Sequence, residues 1–167
     1  MTRLAATALK LESSSKSGDE NSFRAAINSL VVLLNAPDED FESNSQNLQG
    51  EINSRLDPWK GLLDISLYID SDLIPLKHPR VRELSEVIEE LLSNSIRHGK
   101  AHNIELQVVR AGESDVQVIS IDDATIAPPL IPIRSGLGTR IFNLASDGRW
   151  SISRVGDSTE FRLTMAI

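Results

Sequence analysis

The sequence contains no cysteine and carries no excess of positive charge. Without cysteine there is neither a disulfide framework nor a thiolate metal site, and such a composition fits a reducing compartment. A net charge of −7 argues against binding to a nucleic-acid backbone as the main role. The apolar runs fall well short of the roughly 20 residues that span a bilayer. We therefore expect a cytoplasmic protein, or a fragment of one, that contacts neither nucleic acid nor membrane.

The first third of the chain has apolar residues at helical spacing. One helix is predicted to end in the serine-rich stretch 13–18, and a second is predicted from a cap at Asp19 to Leu34. Two short amphipathic helices form an antiparallel hairpin whose apolar face needs a partner, so we expect a homodimer through these helices. A third helix is predicted between about residues 41 and 57. Its apolar stripe comprises Phe41, Leu48, Ile52 and Leu56. Residues 1–57 are thus assigned to the hairpin and a connecting helix.

Residues 58–167 change character and predict alternating strands and helices. A strand over 63–70 precedes a long helix that starts at Pro79 and ends with Gly99 as its C-cap. Two strands follow around Gly112, then a proline-rich stretch, a short helix over 139–146 and two final strands. The predicted fold class is α+β: an N-terminal helical hairpin followed by an α/β sandwich, with a mixed sheet covered by helices on one face.

The long helix carries the first candidate chemical group. Glu90 and Asn94 are four residues apart, so they lie on one helix face, and Arg97 lies a further turn along it. An amide oxygen can bind a hard cation, and a neighbouring carboxylate can orient water or accept a proton. The pair suits phosphate chemistry, although the same spacing is more often found on a solvated helix face.

Two later segments carry further candidate groups. Asp122 ends a predicted strand and could accept a hydrogen bond from an aminopurine, whereas a simple turn is the commoner explanation of Asp122 and Asp123. Gly136 and Gly138 open a helix, where bare amides can receive phosphate oxygens. A tight chain entry explains such a glycine pair equally well. The order of these segments along the chain favours a single cleft that binds a nucleotide.

Residues from about 60 to 167 resemble the ATP-binding domain of sensor histidine kinases, within the wider group that includes gyrase, mismatch-repair and heat-shock-chaperone ATPases. The segment from Glu90 to Asn94, with Arg97 and His98, is similar to the N-box of that family. Asp122, Asp123 and Ala124 stand where its Asp-x-Gly-x-Gly box belongs. The second glycine box is matched by Gly136, Leu137, Gly138 and Thr139.

The resemblance implies a five-stranded sandwich that binds ATP and Mg²⁺. It implies that Asn94 coordinates the Mg²⁺ that bridges the phosphates, and that Glu90 orients or deprotonates the attacking group. Asp122 would accept the adenine amino group. Gly136 and Gly138 would supply the hinge of a lid and phosphate contacts. The remaining box residues would also contact ATP: Arg97, His98, Leu137 and Thr139.

The sequence departs from this family in two places. Ala124 and Ile126 replace glycines of the first glycine box, so easy access to positive φ is lost at one position and a backbone approach to the ligand is crowded at the other. Residues 2–35 resemble the latter part of the family's dimerisation hairpin, but no histidine precedes His78. We expect the phospho-accepting histidine to come from outside these residues, as a phospho-accepting helix, with a response regulator as a further partner.

Three functions remain open from the sequence. The first is the ATP-binding catalytic region of a histidine kinase. The second is a non-catalytic module that dimerises and regulates a partner, which Ala124 and Ile126 favour. The third is a serine kinase of the anti-sigma-factor type, which shares the nucleotide fold but which the hairpin disfavours.

Overall fold

The computed structural model describes residues 2–35, 47–125 and 137–167. The chain divides into two compact units, Met1–Asn44 and Ser45–Ile167. Within the described residues, no helix has both the length and the apolar character needed to cross a bilayer.

The first unit is a helical hairpin of α1 (Thr2–Ser17) and α2 (Glu20–Asn35). The predicted cap at Asp19 is confirmed, because its Oδ1 accepts the backbone N–H groups of Asn21 and Ser22 at 3.1 and 3.2 Å. The exposed fractions of Phe23 and Ile27 are 37% and 38%. The apolar face that led us to expect a partner copy is therefore present on α2.

The predicted end of this helix is confirmed at Ser17 and Gly18, whereas the break predicted at Ser13–Ser15 is wrong, since α1 continues as helix through these serines to Ser17. Serine is only mildly unfavourable within a helix, and the hydroxyl of Ser14 donates to the Lys10 carbonyl at 2.7 Å inside α1. The helix ends at Gly18, whose φ of 70° is the left-handed conformation that glycine adopts without strain.

The second unit begins with α3 (Leu48–Leu56), which runs into a 3₁₀ turn (Asp57–Trp59). Asn47 caps α3 by accepting the Gly50 N–H at 2.9 Å. The predicted apolar stripe is buried at Leu48, Ile52 and Leu56, whereas Phe41 lies outside the described residues. The structure thus divides the chain before residue 57 and places α3 with the following unit.

Five strands form one mixed sheet, as predicted. Their order is β1-β2-β3-β5-β4, with β1 parallel to β2 and every other neighbouring pair antiparallel. The alternation predicted for each strand is seen most clearly in β2, where Ile104, Leu106 and Val108 are buried. The strands are β1 (Asp64–Ile69), β2 (Asn103–Arg110), β3 (Asp115–Asp122), β4 (Trp150–Val155) and β5 (Ser158–Ala166).

Helices α4 (Val81–Asn94) and α5 (Leu137–Ser146) pack with α3 on one face of this sheet. The core is apolar, and its fully buried members include Leu84, Ile88 and Leu92 of α4 together with Leu106 of β2 and Leu163 of β5. Burial of these side chains fixes the rotation of α4 and hence the direction in which its polar face points.

The predicted C-cap of α4 is wrong in its detail. A π-helical turn (Ser95–Gly99) follows α4, and the left-handed residue that ends it is Lys100, with a φ of 53°. Gly99 itself lies inside the turn. Its missing side chain therefore serves a packing contact rather than a backbone conformation.

Candidate functional site

The centre of the candidate site is the pair Glu90 and Asn94 on α4. Both side chains are half-buried, and the Asn94 carboxamide hydrogen-bonds the Glu90 carboxylate. The spacing of four residues that motivated the prediction therefore produces a direct contact. Since an amide donates through nitrogen, the carbonyl oxygen of Asn94 keeps its capacity to accept a hydrogen bond or a cation.

Gly138, at the start of α5, lies directly against this pair. A Cβ atom at Gly138 would be 2.5 Å from Oε1 of Glu90 and 3.2 Å from Nδ2 of Asn94. A side chain at 138 would thus displace the Glu90 carboxylate, so glycine leaves room for this carboxylate in its position against the first turn of α5. Two segments that the sequence linked only by order are in contact.

The environment raises the pKa of Glu90. Its burial is the main cause, and the neighbouring charge of Glu89 adds to it. The hydrogen bond from Asn94 and the positive charges of Arg97 and His98 act in the opposite direction and lower the pKa in part. A carboxylate with a raised pKa is a stronger base than an ordinary surface carboxylate, which suits a group that accepts a proton during a reaction.

Asp122 lies at the end of β3 and is buried, with an exposed fraction of 8%. Its Oδ2 accepts the hydroxyl of Ser95, which immediately follows Asn94 in the chain. Its Oδ1 accepts the backbone N–H of Ala124 at 3.1 Å. The hydrogen bond from Ser95 thereby joins the end of β3 to the turn that follows α4, next to Asn94.

Asp123 has a different role from its neighbour. Its Oδ1 accepts the backbone N–H groups of His102 and Asn103 at 2.8 and 3.0 Å, and its Oδ2 accepts Nδ2 of Asn103 at 2.7 Å. These bonds lower the pKa of Asp123. Asp123 therefore stabilises the start of β2, and Asp122 is the member of the pair directed towards the helix.

Ala124 occupies a place where the resembled family has glycine, and the structure shows how it fits. Among the described residues other than glycine, positive φ occurs only at Lys100 and Asp147, so Ala124 needs no left-handed backbone. A Cβ atom added at Gly99 would be 2.8 Å from Cβ of Ala124. The methyl group of Ala124 takes the space that a side chain at 99 would fill, and the backbone at 124 does not use the positive φ that alanine disfavours.

The other predicted nucleotide contacts differ in how far the structure describes them. Arg97 and His98 are exposed in the turn after α4, close enough for their charges to act on Glu90. Thr139 is half-buried in the first turn of α5. Gly136 and Ile126 lie outside the described residues, as does the side chain of Leu137.

The residues around Glu90 fit a magnesium ion that is shared with a phosphate ligand. Among residues 2–35, 47–125 and 137–167, no group of three or more His, Asp or Glu side chains could hold a metal ion. Mg²⁺ is commonly bound by one or two protein oxygens together with waters and substrate phosphates. The amide oxygen of Asn94 beside the Glu90 carboxylate is such a donor set.

Sequence reasoning missed three residues that shape the site. Ser95 holds Asp122, Gly99 makes room for Ala124, and Arg154 donates to the Ala124 carbonyl. Ser95 had a signal, because it directly follows Asn94 and precedes a turn. Nothing local marked Arg154, which lies in a strand far along the chain.

Several solved structures are similar to this chain. The nucleotide-free catalytic domain of the histidine kinase ThkA has 16% identity over 72% of this chain and 93% of that chain, with a TM-score of 0.55. A blue-light activated histidine kinase from Erythrobacter litoralis has 16% identity over 90% of this chain and 49% of that chain, with a TM-score of 0.54. The histidine kinase domain of the E. coli osmosensor EnvZ has 12% identity over 70% of this chain and 84% of that chain, with a TM-score of 0.51.

No protein-family model matches the chain, and no curated protein matches it significantly. At these identities the structural similarities establish the fold, which is that of histidine kinase catalytic domains. The fold predicted from the three motifs is confirmed.

Proposed function

We propose that this chain is the ATP-binding catalytic region of a two-component sensor histidine kinase. It would transfer the γ-phosphate of ATP to a histidine outside these residues. The observation that carries the proposal is the contact of Gly138 with Glu90 and Asn94, because it joins the two predicted phosphate-binding segments. The fold shared with histidine kinase catalytic domains supports the same assignment.

Each residue has a distinct role in this proposal. The carbonyl oxygen of Asn94 ligates Mg²⁺, which when bound neutralises phosphate charge. Asp122 accepts the amino group of adenine. The exposed Arg97 guanidinium attracts the phosphates, the imidazole of His98 contacts them beside it, and the backbone around Gly138 approaches them without a side chain. Leu137, Gly138 and Thr139 form the first turn of α5, and the amino end of a helix favours phosphate oxygens.

Glu90 acts on the attacking histidine. A ring nitrogen of that histidine forms a bond to the γ-phosphorus as the bond from phosphorus to the departing ADP oxygen breaks. The carboxylate of Glu90 accepts the proton from the other ring nitrogen, which its burial and raised pKa favour. The histidine belongs to a phospho-accepting helix, and a response regulator would receive the phosphate afterwards.

Binding is tested by thermal unfolding with and without Mg-ATP. A ligand at a hundredfold excess over its Kd stabilises the folded state by about 2.7 kcal/mol. For a chain of this size, that corresponds to a rise in Tm of about 5–10 °C. A Tm that does not move at millimolar Mg-ATP would overturn the proposal.

The role of Asn94 is tested by Asn94→Ala in the same assay. We expect the variant to lose the part of the shift that depends on Mg²⁺ while keeping the Tm of the free protein. Gln107→Ala is the matched control, because it removes a carboxamide that is half-buried like that of Asn94, from a strand position that alternates with buried Leu106 and Val108. A magnesium dependence that survives in Asn94→Ala would show that Asn94 does not hold the metal.

Transfer of labelled γ-phosphate separates the remaining alternatives. A histidine-bearing helix that becomes labelled supports the kinase proposal, and labelling of a serine-bearing partner instead supports the anti-sigma-factor type. Binding of ATP without transfer to either would support a non-catalytic regulatory module. In each case the hairpin, with exposed Phe23 and Ile27, is proposed to bind a second copy of the chain.

A further inference from the structure

Arg154 of β4 links the end of β3 to the β4–β5 hairpin. Its Nη1 donates to the backbone carbonyl of Ala124 and, at 3.3 Å, to Oγ1 of Thr159. Its Nε donates to the carbonyl of Gly156 at 3.2 Å. One guanidinium therefore fixes the segment that follows Asp122 against two positions in the hairpin.

The peptide groups of Ala124 are held on both sides. The N–H of Ala124 donates to Oδ1 of Asp122 at 3.1 Å, and the carbonyl accepts from Arg154. The N–H of Thr125 donates to the Gly99 carbonyl at 2.9 Å. The first two of these bonds are made by Ala124. Loss of the Arg154 guanidinium would leave the Ala124 carbonyl without this donor, and the position of the Ala124 N–H, which orients the carboxylate of Asp122, would become less fixed.

The strand register places Arg154 in line with Asp122 across the sheet, with Thr159 between them. Thr159 is the register partner of Asp122 across β3 and β5, and both residues are buried, with exposed fractions of 8%. Arg154 is in turn the register partner of Thr159 across β4 and β5. The guanidinium of Arg154 therefore extends from β4 past the adjacent strand β5. It reaches the backbone that follows Asp122 at the end of β3.

We propose that Arg154 is a positioning residue for purine selection. Through Ala124 it holds the carboxylate of Asp122 in the orientation that accepts a 6-amino group, and it thereby favours adenine over a purine that carries oxygen at that position. This inference rests on the proposed function, in which Asp122 contacts the base.

The experiment compares the Kd values of Mg-ATP and Mg-ITP for the full chain. The two nucleotides differ at the six-membered edge of the purine, where ATP has a 6-amino group and a bare N1, and ITP has a 6-carbonyl oxygen and an N1–H. A hydrogen bond to a charged group changes affinity by about tenfold or more, so the wild type is expected to prefer ATP by at least about that factor. Arg154→Met keeps an apolar side chain but has no donor. We expect it to weaken ATP binding by about tenfold and to leave ITP binding within about twofold.

A conservative variant and a matched control define the effect. Arg154→Lys restores one donor and should recover part of the preference for ATP. Arg162→Met removes an arginine from β5 that pairs with Glu160, at a strand position that alternates with buried Phe161 and Leu163, and should leave both Kd values unchanged. A merely structural role for Arg154 would weaken ATP and ITP equally.

The outcomes separate this inference from the proposed function. An unchanged ratio of the two Kd values in Arg154→Met would overturn the role of Arg154, and so would equal binding of ATP and ITP by the wild type. Failure of the wild type to bind either nucleotide would overturn the proposed function itself. Should Arg154→Met not fold, Arg154→Gln is measured in its place and judged by the same ratio.

Discussion

At the scale of single residues, Gly99 and Ala124 share a space that admits one methyl group. Gly99→Ala would place two Cβ atoms 2.8 Å apart, closer than van der Waals contact allows. Both residues are buried, so the overlap has to be relieved by a shift of the backbone. We expect Gly99→Ala to lower the free energy of unfolding by about 1–3 kcal/mol, measured by urea denaturation.

The second half of this prediction is its rescue. Moving the methyl group from 124 to 99, in the double variant Gly99→Ala with Ala124→Gly, should return the free energy of unfolding to within about 0.5 kcal/mol of the wild type. The single variant Ala124→Gly is also measured, because it completes the double-mutant cycle. If the two single effects simply add, the residues do not share the space, and Ala124 is tolerated for another reason.

At the scale of elements, α3 is joined to α4 by a buried ion pair. Glu89 has an exposed fraction of 1%, and its Oε2 accepts Nη1 of Arg55 at 2.9 Å. The same arginine contacts Glu51 at 3.3 Å. Arg55→Met would leave Glu89 buried without its cation, so we expect a loss of about 3–5 kcal/mol in the free energy of unfolding, again measured in urea.

The contrast with an exposed pair tests this explanation. Arg82→Met breaks the surface contact with Glu86, which is worth about 0.3–0.5 kcal/mol. Replacing both partners of the buried pair, in Arg55→Met with Glu89→Leu, should recover most of the lost stability, because no unpaired charge remains. A double variant that is no more stable than Arg55→Met would mean that Glu89 does not carry the cost.

The elements that sequence predicts well here are those with a local signal. The strands are recognised because buried and exposed residues alternate, and α2 is recognised because Asp19 caps it. The contacts that position the site join distant parts of the chain. Thirty-four residues separate Arg55 from Glu89, and 27 separate Ser95 from Asp122. No periodicity encodes such pairs, so folding has to bring them together before they can be identified.

The failures at Ser13–Ser15 and Gly99 have the same origin. In both places a residue type that favours turns or helix ends led us to predict such an end. In the fold the same residue has a different role. The serines remain helical because a bond within α1 satisfies the hydroxyl of Ser14. The left-handed residue at this helix end is Lys100, not Gly99. The missing side chain of Gly99 instead makes room for the methyl group of Ala124. Local propensity is a weak guide where a tertiary contact competes with it.

At the scale of the whole molecule, every residue proposed to contact the nucleotide lies in the unit Ser45–Ile167. That unit contains α3, whose three buried leucine and isoleucine side chains complete its core. The start of α3 is also tied to the segment before α4, since the N–H of Leu48 donates to the Leu76 carbonyl at 2.9 Å. The helix therefore belongs to the folding unit of the candidate site.

Two truncations test this assignment. A fragment of residues 45–167 should unfold cooperatively and bind Mg-ATP with the Kd of the full chain. A fragment of residues 58–167 loses Leu48, Ile52 and Leu56, each worth about 1.5–3 kcal/mol when buried, and leaves Glu89 without Arg55. Since domains are stable by only about 5–15 kcal/mol, we expect the shorter fragment to show no cooperative unfolding transition by circular dichroism. A shorter fragment that melts like the longer one would place α3 outside the folding unit.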